Sequence, residues 1–102
     1  MASRLKLHEE FCEILGNRNG YYNPPESVKF QYPCIRYTMT GANQKKANNK
    51  LYVKTNQYEV ILMDFDPDSK YVDDILSRFE MCSFDRSYKA DNLNHFVFTI
   101  YY

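Results

Sequence analysis

Hydrophobic positions recur with two different periods along this chain, and the switches between periods mark its elements. From Ser3 to Leu15, Leu7, Phe11 and Ile14 fall at helical spacing with Leu15 beside them. That pattern predicts an amphipathic helix, with Ser3 as its cap and Gly16 as its stop. Asn17 to Gly20 predicts a turn, Tyr21-Tyr22 a short extended piece, and Pro24-Pro25 a stiff break. From Pro33 to Thr40 the period becomes two, with Ile35, Tyr37 and Met39 on one parity and Arg36, Thr38 and Thr40 on the other. This is the pattern of a half-buried strand. Gly41 to Lys50 (GANQKKANNK) holds no large apolar residue and predicts an exposed, mobile loop. Leu51 to Phe65 resumes as a strand, paired with the first as a long-looped hairpin. Val60 and Leu62 on one parity and Ile61 and Met63 on the other predict a central strand covered on both faces.

Asp66-Pro67 predicts the start of a second helix, Asp66 capping it and Pro67 in its first position. Val72, Ile75, Leu76 and Phe79 supply its apolar stripe. Met81 to Tyr102 then reads as two aromatic-rich strands around a short polar break. Phe84 and Tyr88 share one parity of the first strand, and Phe96, Phe98, Ile100 and Tyr102 one parity of the second. Each set is expected on a single sheet face. The order helix, hairpin, helix, hairpin predicts one small α/β (α+β) domain over residues 1–102. Its simplest form is an antiparallel or mixed four-stranded sheet with two helices packed on it.

Composition narrows the function classes. The 102 residues carry 13 basic and 13 acidic side chains, a balance unlike that of general nucleic-acid or membrane-surface binders. Aromatic content is 17%, from ten Tyr and seven Phe. Tyr suits protein interfaces because its ring packs while its hydroxyl stays wet. Cys12, Cys34 and Cys82 are odd in number and widely spaced. They predict buried free thiols in a reducing cytoplasm, not a disulfide framework. Neither a signal peptide nor a membrane-spanning run is legible, so a soluble chain without a membrane partner is expected.

Catalytic patterns are weak. Asp64, Asp66 and Asp68 begin like a calcium loop, but Ser69 stands where Gly is needed and Ile75 where a bidentate Glu is needed. A strand end running into a helix cap explains them better. Asp73 and Asp74 read as a solvated helix face. His8, beside Glu9 and Glu10, does not make the zinc-helix motif. A Cys82–His95 dyad is compatible with the spacing but lacks an orienting third group. Gly16, Gly20 and Gly41 build no phosphate-cradling loop. The ending HFVFTIYY has alternating rings but lacks the basic-glycine start of an RNA-binding sheet. Lys45, Lys46 and Lys50 form the best local positive patch. No enzyme activity, catalytic residue, cofactor or metal is assigned.

Three stretches carry a resemblance over nearly the whole chain: LGNRNGYYNPPESVKFQYPCIRY after the first helix, YEVILMDFDPDS, and CSFDRSYKADNLNHFVFTIYY. Together they resemble the tail terminator (tail completion) family of long-tailed bacteriophages and prophages. The resemblance implies a virion neck protein, assembled in the bacterial cytoplasm. It implies a homo-oligomeric ring, usually of six copies, on the head-proximal end of the tail tube. Such a ring ends tube polymerisation, meets the tail tube protein and the head-tail connector or stopper, and lets DNA pass through its lumen without sequence-specific binding. On that basis Lys45, Lys46 and Lys50 are candidates for lumen or tube contact, and Tyr21, Tyr22 and Tyr52 for subunit contacts. The alternatives are a head-closure or stopper protein of the same neck, or a small RNA- or protein-binding module.

Overall fold

The first helix, α1 (Arg4–Leu15), forms where expected and buries Leu7, Phe11 and Leu15 along one stripe, with Cys12 beside them. In this computed structural model residues 4–47 and 51–102 are described, with the backbone alone for 42–47 and 51–55. The proposed cap Ser3 lies outside the described residues. At Gly16 the helix ends in the left-handed region (φ 72°), where a side chain would strain the backbone. The Gly16 N–H donates to the Cys12 carbonyl at 2.9 Å. Asn17 then accepts the Asn19 N–H at 2.8 Å, closing the turn.

Five strands follow, one more than the periodicity predicts: β1 (Gly20–Tyr22), β2 (Cys34–Ala47), β3 (Leu51–Asp64), β4 (Cys82–Ala90) and β5 (Leu93–Tyr101). They form one mixed sheet in the order β1-β2-β3-β5-β4. The extra strand is the Tyr21-Tyr22 piece, too short to be scored by period alone. It runs parallel to β2, Gly20 opposite Ile35 and Tyr22 opposite Tyr37, while every other pair is antiparallel.

The expected loop is corrected over Gly41–Ala47 by the pairing of β2 and β3, and the rest of it, 48–50, lies outside the described residues. Their ladder continues past an irregularity between Met39 and Gly41 as far as Ala47 opposite Leu51. Antiparallel backbone pairing needs no apolar side chain, so a polar ladder is invisible to hydrophobic periodicity. β1 reaches β2 only as far as Tyr37, and β5 reaches β3 as far as Gln57, with Tyr102 adding a backbone pair to Asn56. A two-stranded arm therefore projects beyond the sheet, and the longest dimension is 50 Å against 26 and 22 Å.

The second helix is shorter than expected. It runs as α2 (Tyr71–Arg78), and neither Asp66 nor Pro67 starts it. Asp66 accepts the Asp68 N–H at 2.9 Å, and Asp64 accepts the Asp66 N–H at 3.3 Å and the Ser69 hydroxyl at 2.7 Å. These side chains satisfy the local N–H groups in a turn, which competes with helix. Within the stripe Ile75 is fully buried and Phe79 nearly so, whereas Leu76 is exposed. Arg78 joins α2 to α1 through Glu10 at 3.2 Å and through Glu13.

Both helices lie on one sheet face. There Leu7, Phe11 and Ile75 pack on Ile35 and Tyr37 of β2, Val60 and Leu62 of β3, and Phe98 and Ile100 of β5. The other face holds a smaller cluster, Cys34, Ile61, Met63 and Val97, covered by Tyr21, Phe30 and Tyr32. The double covering expected of β3 is thus present, but an irregular segment supplies the second cover. In the final hairpin, Asp91 (φ 54°) and Asn92 (φ 64°) make the tight turn, residue types that tolerate this conformation. The expected common face for Phe84 and Tyr88 is corrected. A bulge between Phe84 and Arg86 sets Phe84 opposite Phe98 and Tyr88 opposite His95, on opposite sheet faces.

Phe98, fully buried in the main core, is expected to lose about 3–5 kcal/mol of stability on replacement by Ala. Leu5→Ala, at a site 66% exposed, should change it by under about 0.5 kcal/mol. Urea unfolding of the two variants checks this, and equal midpoints would contradict the assigned core.

Candidate functional site

The groups best suited to chemistry are kept apart. Cys82 lies opposite Ile100, packed against the helix-side core, whereas His95 lies opposite Tyr88 and Met63 on the other face. Five strand positions separate Cys82 from His95 along the ladder, about 17 Å, so they form no dyad. The His95 ring stacks on Tyr88 with centroids 4.7 Å apart, and its Nδ1 sits 3.2 Å from the Leu93 carbonyl. His8 is also engaged, its Nδ1 hydrogen-bonded with the Tyr37 hydroxyl at 3.0 Å. Burial pushes the Cys34 thiol up to about 12 and the Cys82 thiol up to about 11, with nearby Asp85 adding to the latter. A thiol so shifted is protonated at neutral pH and a poor nucleophile.

The aspartate run is used for turns, as described above. Among the described residues no three His, Cys, Asp or Glu side chains converge as a metal site would require. None of the helices is long and apolar enough to cross a membrane, among the described residues.

The tyrosines proposed as subunit contacts are largely occupied within the chain. Tyr22 packs on Tyr37 with centroids 5.1 Å apart, and the Arg4 guanidinium lies 4.3 Å from its ring centroid. Tyr21 meets Phe30 edge-on at 4.9 Å, and its hydroxyl accepts the Gln31 N–H at 3.2 Å. Both are half-buried, so their rings serve folding first. Tyr52 lies in the arm, opposite Lys46. Lys45 and Lys46 are also placed in the arm, on β2, while Lys50 lies outside the described residues. The structure therefore brings Lys45, Lys46 and Tyr52 into one element and separates them from Tyr21 and Tyr22.

Among the described residues, three surfaces remain free for contact. The first is the arm, whose two strands pair with each other and with no third strand over Gly41–Ala47 and Leu51–Thr55. The second is the uncovered part of the sheet face opposite the helices, where Thr38, Glu59, Thr99 and Ser83 stand in one row. Asp85 folds over this row, accepting the Thr99 hydroxyl at 2.5 Å and the Ser83 hydroxyl at 3.1 Å. A small cavity of about 120 Å³ opens beside it, lined by Asn23, Pro24, Arg36, Thr38, Glu59 and Ile61.

The third surface is β4 itself, the last strand of the sheet, with its outer row of N–H and C=O groups unpaired. It carries two exposed aromatic rings, Phe84 at 45% and Tyr88 at 42%. Beside it, between the start of α2 and the strand, runs a groove of about 350 Å³. Hydrophobic period alone misses this surface. The available signal is that β4 (CSFDRSYKA) carries Ser83, Asp85, Ser87 and Lys89 on one parity and the charged Arg86 on the other, charges that suit an edge strand.

No family model matches this chain, and comparison with curated proteins and with solved structures finds no match either.

Because Cys34 and Cys82 ionise less readily when folded than at their ordinary value of 9.0, their effect on stability has a definite sign. It is fully favourable below pH 9 and is lost as the pH rises through about 11 for Cys82 and about 12 for Cys34. Unfolding midpoints should be insensitive to both thiols at pH 7–8 and fall above pH 9. Cys82→Ser and Cys34→Ala should reduce that alkaline loss. In the native protein at pH 8, thiol-labelling reagents should react slowly with Cys82 and with Cys34 only on unfolding, which mass spectrometry reads directly.

Proposed function

We propose that this chain is a structural subunit of the bacteriophage neck of the tail-terminator kind. In this role it assembles with copies of itself on the head-proximal end of the tail tube and ends tube growth. The observation that carries this reading is the projecting arm together with an unpaired strand at the far end of the sheet. A subunit with free backbone edges at both sides is suited to contacts between neighbours. The resemblance of the three sequence stretches supplies the setting. The reading assigns Cys34, Cys82, His8 and His95 to packing and hydrogen bonding within the fold. Ring contacts join two different patches of the same subunit, and this chain has two patches of different character to offer.

Mixing the purified chain with polymerising tail-tube subunits tests the reading. Negative-stain images are expected to show shorter tubes, each capped at one end, with mean length falling as the chain is added. Tubes of unchanged length and bare ends would contradict it. Tight, saturable RNA binding by the chain would favour the binding-module alternative.

A further inference from the structure

We infer that the basic arm of one copy docks along the β4 edge of a second copy, where the groove beside Phe84 receives lysines from one parity of the arm. This rests on the reading of the chain as a self-assembling subunit and names the two faces that meet.

Charge and backbone geometry both select this pairing. Over Gly41–Ala47 and Leu51–Thr55 the arm sequence contains Lys45, Lys46 and Lys54 and neither Asp nor Glu. The ladder sets Lys54 opposite Gln44, on the same parity as Lys46, and Lys45 opposite Val53 on the other parity. The segment Asp64–Asp74 has the reverse balance, five Asp and one Lys. Its Asp68 and Asp73 line the groove next to β4, together with Ser69, Val72, Phe84 and Phe96. No cation lines that groove, and neither carboxylate is ion-paired among the described residues.

Backbone supplies the second half of the fit. β4 presents an unpaired edge, and the arm presents extended strands with unpaired outer edges. Strand addition between them satisfies main-chain groups on both partners, while alternate side chains of the incoming strand enter the groove. Those side chains meet the exposed Phe84 ring and the two carboxylates. The body of a single copy separates the two surfaces. β4 and the arm lie at different sides of the sheet, with β5 and the body of β3 between them. The contact is therefore between copies and heterologous, the type that propagates around a ring.

The test uses the full chain in three forms: wild type, an arm-reversed variant (Lys45→Glu, Lys46→Glu, Lys54→Glu) and a groove-reversed variant (Asp68→Lys, Asp73→Lys). Sedimentation velocity over a concentration series reads self-association, with circular dichroism and urea unfolding verifying the fold of each variant. Wild type should associate with rising concentration, and each variant alone should associate at least about tenfold more weakly. An equimolar mixture of the two variants should regain association, because each arm then meets an oppositely charged groove. Raising salt from about 0.1 M to 1 M, where the screening length falls from about 10 to 3 Å, should weaken the wild-type contact.

A wild-type chain that stays monomeric at the highest attainable concentration overturns the inference. So do folded variants that associate as the wild type does, or a mixture that gains nothing. If the chain caps tubes but its association ignores both reversals, the arm-to-edge contact fails and the neck reading stands. If the mixture recovers association but tube length never responds, the contact stands and the neck reading fails.

Discussion

Burial of β3 on both faces is the constraint on which the rest of the molecule depends. Val60 and Leu62 are fully buried on the helix side, while Ile61 and Met63 are 5% and 4% exposed on the other. A strand apolar on both parities cannot sit at an edge or face water on either side. It needs a paired strand to each flank, which β2 and β5 provide, and a cover above and below. The helices α1 and α2 make one cover through Phe11, Leu7 and Ile75. On the other side no helix lies among the described residues, and the crossing from Tyr21 to Tyr32 brings three aromatic rings over Cys34, Ile61, Met63 and Val97. The aromatic excess is thereby accounted for in part: rings that suggest an interface in the sequence are the second lid of a thin core.

The same economy leaves the margins of the sheet unprotected. Once the core is built around β3, little apolar material remains for β4, which is exposed along most of its length. β1 spans three residues and covers only a short piece of β2. β2 and β3 outrun both neighbours and continue as the arm. A small domain buries a limited share of its surface, and here the shortfall is concentrated at strand edges instead of being spread over the surface. Edges of this kind are hazards for a monomer and connectors for a subunit. The irregularity at Met39–Gly41 and the bulge between Phe84 and Arg86 both fall near these margins, where such features re-aim side chains. At Phe84 the consequence is direct, since the ring is turned to the groove beside α2 while Tyr88 is turned to His95.

The Asp64–Asp74 segment shows how local and long-range forces divide the work. In isolation Asp66-Pro67 is a strong helix start. In the folded chain the carboxylates of Asp64 and Asp66 and the hydroxyl of the buried Ser69 bond one another and nearby backbone. Holding Ser69 inside fixes where the helix begins, and α2 starts with Tyr71. The freed carboxylates of Asp68 and Asp73 then face the groove.

Sequence by itself determined the features that rest on local spacing. The α1 stripe of Leu7, Phe11 and Ile14 with Leu15 beside them, of which Ile14 is only partly buried, the Gly16 stop, the two-sided strand around Val60–Met63 and the final hairpin follow from period and residue type, which act within a few residues. Of the candidate site residues, the arm lysines Lys45 and Lys46 were legible as a polar, basic stretch, but not as strand. Only the tertiary structure decided the parallel pairing of β1, the polar ladder of the arm, the delayed start of α2 and the bulge that splits Phe84 from Tyr88. The pairings and the bulge depend on backbone hydrogen bonds between distant residues, and the start of α2 on side-chain hydrogen bonds of Asp64, Asp66 and Ser69, none of which leaves a trace in hydrophobic spacing.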